Sequence, residues 1–166
     1  MSHAVQGMNV EAAMTRVVVV YVNGEYYGIY DLGEDLNAEY LTTHYGADKD
    51  AVDVIRTTTS ALHGNNKEIK RVYKYAEAKD LSVTANYEEF LQWVDADYYM
   101  DYVVAQTYFN NSDTFNQKYW RTQDYSIKWR PVLFDLDFAL RNGPSGSMMG
   151  FYNNMSGFHK AGQNTS

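Results

Sequence analysis

Residues 16–32 read RVVVVYVNGEYYGIYDL, two runs rich in β-branched and aromatic residues joined by Asn23-Gly24. Asn-Gly best supplies the two positive φ angles of a type I′ turn, whose twist matches that of the flanking strands. The stretch therefore predicts a tight antiparallel hairpin. Strict alternation along its second strand puts Tyr26, Gly28, Tyr30 and Leu32 on one face. The missing side chain at Gly28 either admits a backbone or ligand or relieves crowding between the tyrosines.

Working outward, residues 1–15 carry no strong period and are expected to be irregular or a partial helix. Residues 36–45 read as a short helix, with Tyr40, Leu41, His44 and Tyr45 at helical spacing and Gly46 as its C-terminal cap. DKDAVD, from Asp48, lacks the glycine and terminal glutamate of a calcium loop and reads as a solvated turn. A short strand, VDVIRT, and a polar loop, TTSALHGNN, precede a helix with Ile69, Val72, Tyr73 and Ala76 at i, i+3, i+4 and i+7. Asn86 with Glu89 resembles a capping pair for the next helix. Asp97 is expected to cap a further one that buries Met100, Val103, Val104 and Thr107 and ends near Asn110. KYWRT and WRPVLFDLDF then predict an antiparallel pair, with Pro131 at a sheet edge or strand start. The fold class is α+β: antiparallel β-hairpins packed with helices.

The chain divides into the opening segment 1–15, a core over 16–141, and a Gly/Ser/Asn-rich stretch over 142–166 expected to be loop or disordered tail. A chain of 166 residues forms one domain that buries about 70% of its unfolded surface. With 26 aromatic residues among them, strand and hairpin aromatics are expected in the core. The formal charge of −7 disfavours nucleic-acid binding and suits a basic protein partner. The absence of cysteine removes thiolate zinc sites and cysteine nucleophiles, and the longest apolar run, Val17 to Val22, is too short to span a bilayer. The four histidines accompany no recognisable nucleophile motif, so serine or cysteine hydrolysis has no support.

Chemistry concentrates in NNSDTFNQKYW and KWRPVLFDLDFALR. A carboxylate, Asp113, and an amide, Asn116, leave a loop after a helix. Asp135 and Asp137 follow on an apolar strand, where alternation would aim both at one face and Leu136 at the other. Hard oxygen ligands at a strand end suit Mg²⁺ or Mn²⁺. Taken singly, the same residues are ordinary turn formers and strand terminators.

Together these segments resemble the spore coat protein H (CotH) kinase family, similar to atypical protein kinases. The likeness runs from Arg16 to Arg141 through the hairpin VVVVYVNGEYYGIYDLGE, the helix ending in NNSD, the strand FNQKYWR and the strand KWRPVLFDLDFAL. The resemblance implies the central part of a kinase-like domain, with ATP and Mg²⁺ or Mn²⁺ as cofactors. It implies Asp113 as the catalytic aspartate, Asn116 and Asp135 as metal ligands with Asp137 sharing the cation, and Glu34 as the partner of a nucleotide-binding lysine. That lysine would lie before the first residue, and helices would follow the metal strand, so the sequence is expected to be part of a longer protein. The implied function is phosphate transfer from ATP to Ser/Thr of a serine-rich, basic protein at a spore coat or bacterial cell surface. Two other readings stand beside it: a non-catalytic kinase-like binding module using exposed aromatics, and a nucleotide-sugar transferase using Asp135 and Asp137 as an Asp-any-Asp cation site.

Overall fold

The computed structural model describes residues 2–57, 60–111 and 116–140. After a 3₁₀ turn at Ser2–Val5 come β1 (Glu11–Ala12), β2 (Thr15–Val22), β3 (Glu25–Gly33), α1 (Ala38–Tyr45), β4 (Val52–Arg56) and β5 (Ser60–His63). They are followed by α2 (Lys67–Ala78), α3 (Thr84–Phe90), α4 (Ala96–Phe109), β6 (Lys118–Thr122) and β7 (Arg130–Leu133). A five-stranded sheet runs β1-β7-β6-β4-β5, and β2 with β3 forms a separate two-stranded sheet. Every pairing is antiparallel except that of β1 with β7. The fold is α+β.

Asn23 and Gly24 take φ values of 54° and 87°, and the hairpin turns on these two residues as its sequence requires. Its alternation is broken by a bulge: Val20 pairs with Gly28 but Tyr21 with Tyr26, leaving Tyr27 as the extra residue. Tyr26 and Gly28 therefore do not continue one alternating face. Tyr27 stacks on Tyr30 at 5.8 Å, and Tyr30 occupies the space over Gly28, where a Cβ would lie 3.2 Å from its ring. With φ at 147°, Gly28 serves this local crowding. The hairpin aromatics are not in the core, since Tyr21, Tyr26, Tyr27 and Tyr30 are all exposed.

Two other expectations change. Glu11–Ala12, in the stretch expected to be irregular, extends the sheet beside β7, and Ser60–His63, expected as loop, pairs with β4. Glu11 is held there because its buried carboxylate accepts from the hydroxyls of Tyr40 and Tyr45. Pro131 lies one residue outside the part of β7 that β1 covers, as its missing N–H demands.

Both faces of the sheet are covered. Ile55 and Tyr119 pack against Ile69, Val72, Tyr73 and Ala76 of α2, all four of the positions that its period marks. Val52, Val54, Trp120 and Val132 pack on the other face against Leu36, Tyr40 and Leu41. Each fully buried aliphatic side chain contributes about 1.5–3 kcal/mol. α4 turns a different side inward from the expected one: Tyr102, Ala105, Gln106 and Phe109 are buried, while Met100 and Val104 are exposed and Val103 and Thr107 half-buried. Apolar residues are spread around the helix and not gathered on one side, so its period does not select a face. The bulk of Tyr102 and Phe109 does, and Gln106 joins them by donating to the Tyr102 hydroxyl at 2.9 Å. Caps shift as well, because Asp95 rather than Asp97 accepts from the Tyr98 N–H. Asn86 donates instead to Asp80 O, and Glu89 accepts from the Tyr75 hydroxyl, so this pair ties α3 to its neighbours.

Between β4 and β6 lies a buried ion pair, with Arg121 Nη2 2.8 Å from Asp53 Oδ2. The other carboxylate oxygen accepts from the Asn65 N–H at 3.0 Å and from Gln123 Nε2 at 3.2 Å. The Arg121 guanidinium lies 4.5 Å from the Tyr125 ring centre. Breaking such a pair by removing one partner leaves an uncompensated buried charge. Asp53→Ala is therefore expected to lower the unfolding free energy by about 3–5 kcal/mol in urea denaturation.

Candidate functional site

The site forms where the sheet runs out of partners. β6 begins at Lys118, opposite Val132, so beyond Leu133 the chain has no strand to pair with and leaves the sheet. Asp135 adopts φ 53°, a left-handed conformation that aspartate tolerates better than most residues. Asp135 and Asp137 thus do not alternate along a strand as expected. They reach the same groove through this turn, and Leu136 lines it with them instead of pointing away. Leu140 N–H then donates to Phe109 O at 2.8 Å, which fastens the turn to the end of α4.

Asn116 is held against this turn from the other side. Its neighbour Gln117 is buried, donates no freedom to the loop, and is fixed by Thr57 N–H on its carbonyl at 2.9 Å and Tyr119 hydroxyl on its side chain at 2.6 Å. Asn116 Nδ2 donates to Asp135 Oδ2 at 2.6 Å. Its Oδ1 accepts from Arg56 Nε at 3.0 Å and Nη2 at 2.8 Å. An arginine has only donors and a carboxylate only acceptors, so these neighbours dictate which way the amide points.

The groove has a volume of about 450 Å³. Asp31, Glu34, Asp35, Asp135 and Asp137 supply five carboxylates to its lining, and Lys118 is the one cation among the described lining residues. The Lys118 ammonium donates to Leu36 O at 3.0 Å and lies 5.0 Å from the Phe134 ring centre. Burial lowers its pKa, and the charge of Arg56 adds to the effect while Asp35 opposes it.

Glu34 is already engaged: one oxygen accepts from Met14 N–H at 3.0 Å and the other lies 2.7 Å from His44 Nε2. The family resemblance implies a lysine partner for this carboxylate; among the described residues it meets a main-chain amide and an imidazole. Asp113 and the stretch 141–166 lie outside the described residues. The chain segments leading to Asp113 are anchored at Asn111, which is buried, and at Asn116.

Asn116 touches Asp135, and Asp135 lines the groove with Asp137; all three offer hard oxygen donors, which fits Mg²⁺ or Mn²⁺ in kind. Among the described residues no three histidine or acidic side chains are gathered closely enough to hold a metal by themselves. The amide of Asn116 would therefore be a needed ligand, and its oxygen is the atom that Arg56 engages. Sequence reasoning missed Arg56 and Lys118, which stand 62 positions apart and meet only by strand pairing; the one signal was that a basic residue ends VDVIR and another opens KYWRT.

The family model described as CotH kinase protein matches residues 1–165. The chain belongs to the CotH kinase family. That match takes in the opening segment and nearly all of the tail as well as the core from Arg16 to Arg141. No curated protein matches the chain. Among the described residues no helix is long and apolar enough to cross a membrane.

The Glu34 contacts carry a pH signature. Main-chain hydrogen bonding from Met14, with a further contribution from His44, holds its pKa below the ordinary value. A depressed folded-state pKa stabilises above the unfolded value of 4.5 and is lost as pH falls through the folded one. Glu34→Gln is expected to melt below the wild type at neutral pH, with the difference shrinking in thermal unfolding as the pH falls below 4.5 and through the depressed folded-state pKa.

Proposed function

We propose that the chain carries part of the phosphoryl-transfer site of a protein kinase that uses ATP and a divalent cation. The observation that carries this reading is the hydrogen-bonded contact of Asn116 with Asp135 at the rim of the acidic groove. Asn116 and Asp135 would hold Mg²⁺ or Mn²⁺, with Asp137 sharing it. A cation held by these residues would supply the positive charge that offsets the phosphate charge during transfer. Asp113, assigned by family resemblance, accepts the proton of a Ser/Thr hydroxyl as its oxygen bonds to the γ-phosphorus and the bond to the ADP oxygen breaks. The formal charge of −7 favours a basic, serine-rich protein substrate. We place that substrate at a spore coat or bacterial cell surface, a reading that the family resemblance supports.

A second reading is favoured by the exposed Tyr21, Tyr26, Tyr27 and Tyr30, which would suit a binding module that performs no transfer. Binding of a partner that persists in Asp135→Asn and in the presence of a chelator would support it.

Calorimetric titration with ATP and Mn²⁺ tests the first reading. Asp135→Asn is expected to lose metal-dependent nucleotide binding, whereas Asp113→Asn retains it and loses phosphate incorporation into a basic serine-rich peptide. Wild-type binding that is indifferent to the cation would overturn the assignment.

A further inference from the structure

The ladder between β4 and β6 puts two cations directly opposite one another: Arg56 and Lys118 are register partners at its end. Alternation places both on the face of Val52, Val54 and Trp120, and Lys118 opens into the groove there. Like charges facing each other across a sheet are destabilising unless an opposite charge lies between them. Among the described residues neither meets a carboxylate at ion-pair distance, although five line the groove. Lys118 donates to a neutral main-chain carbonyl, and Arg56 directs both Nε and Nη2 at the single neutral oxygen of Asn116. Two parallel donors of a guanidinium match two oxygens of a phosphate better than they match one amide oxygen.

We propose that Arg56 and Lys118 form the polyphosphate subsite of this groove, and that Arg56 yields Asn116 Oδ1 to a divalent cation as its guanidinium takes phosphate oxygens. The proposal rests on the phosphoryl-transfer reading and names the residues that hold the phosphates of its donor. The exchange is chemically consistent at each atom. Asn116 Oδ1 has lone pairs for a cation once Arg56 leaves, and Arg56 gains a charged acceptor in place of a neutral one. Lys118, held against the neutral Leu36 carbonyl and directly opposite Arg56, gains an anion between two like charges. The five carboxylates repel free polyphosphate, so the subsite accepts the metal complex and not the bare anion.

The test is calorimetric titration with Mn²⁺, Mn²⁺-tripolyphosphate and Mn²⁺-ATP, applied to the wild type, Lys118→Gln, Lys118→Arg and Arg56→Gln, with folding checked by circular dichroism. Lys118→Gln and Arg56→Gln are each expected to weaken both phosphate complexes by about tenfold or more, while Lys118→Arg keeps most of the affinity. Mn²⁺ alone should bind Arg56→Gln at least as tightly as the wild type. In the wild type, Mn²⁺-tripolyphosphate should also protect Lys118 from acetylation, a readout that needs no variant to fold. Wild-type binding with unchanged affinity in both glutamine variants would overturn the subsite and leave the phosphoryl-transfer reading standing. Weaker binding of Mn²⁺ alone by Arg56→Gln would make Arg56 a support for Asn116 and overturn its phosphate role. No binding of either phosphate complex by the wild type would overturn both.

Discussion

The pairing of β4 with β6 is the constraint on which the rest of the structure depends. It joins Val52–Arg56 to Lys118–Thr122 through five register pairs and lies in the middle of the sheet. One face of this ladder seats α2 and the other seats α1, so both sides of the core are organised by it. The same ladder sets Asp53 opposite Arg121 and Arg56 opposite Lys118. The first pair is of opposite charge, buried and saturated with hydrogen bonds, and the second is of like charge, with Lys118 lining the groove and Arg56 turned to Asn116. One register thus produces a structural ion pair at one position and a concentration of positive charge three residues away.

The chemical character of the site follows from where pairing stops. A strand that continued past Leu133 would have separated Asp135 and Leu136 onto opposite faces. Because β6 starts at Lys118, the chain is released at that point and turns through the left-handed conformation of Asp135. The turn is nevertheless held at both ends, by Asn116 on Asp135 and by the main-chain bond from Leu140 to Phe109. A carboxylate on a fastened turn keeps its position without the desolvation that a strand interior would impose.

The molecule also leaves substantial apolar surface in contact with solvent. The hairpin of β2 and β3 exposes Val17, Val19, Tyr21, Tyr26, Tyr27, Ile29 and Leu32, and α4 exposes Met100, Val104 and Tyr108 on one stripe. Patches of this kind mark surfaces of interaction more often than ordinary solvent faces. They explain why hydrophobic period was a poor guide in these two elements: each is apolar on more than one side, and burial of one side leaves the other unchanged in sequence.

Local signals were readable wherever one residue type has one conformational use. Asn23-Gly24 determined the hairpin turn, Gly46 ended α1 in the left-handed conformation at φ 66°, and the spacing of Ile69, Val72, Tyr73 and Ala76 determined the buried face of α2. The sequence also singled out Asn116, Asp135 and Asp137 by chemical type and by order along the chain. What it could not determine was how they meet, because a bulge at Tyr27, the face of α4 and the end of β7 all depend on what the neighbouring elements provide. Arg56 and Lys118 are the clearest instance: nothing local relates them, and only the register of two distant strands sets one cation opposite the other. Short-range conformational preferences are written in the residues themselves, whereas the placement of charge across a sheet is decided by packing and pairing of the whole chain.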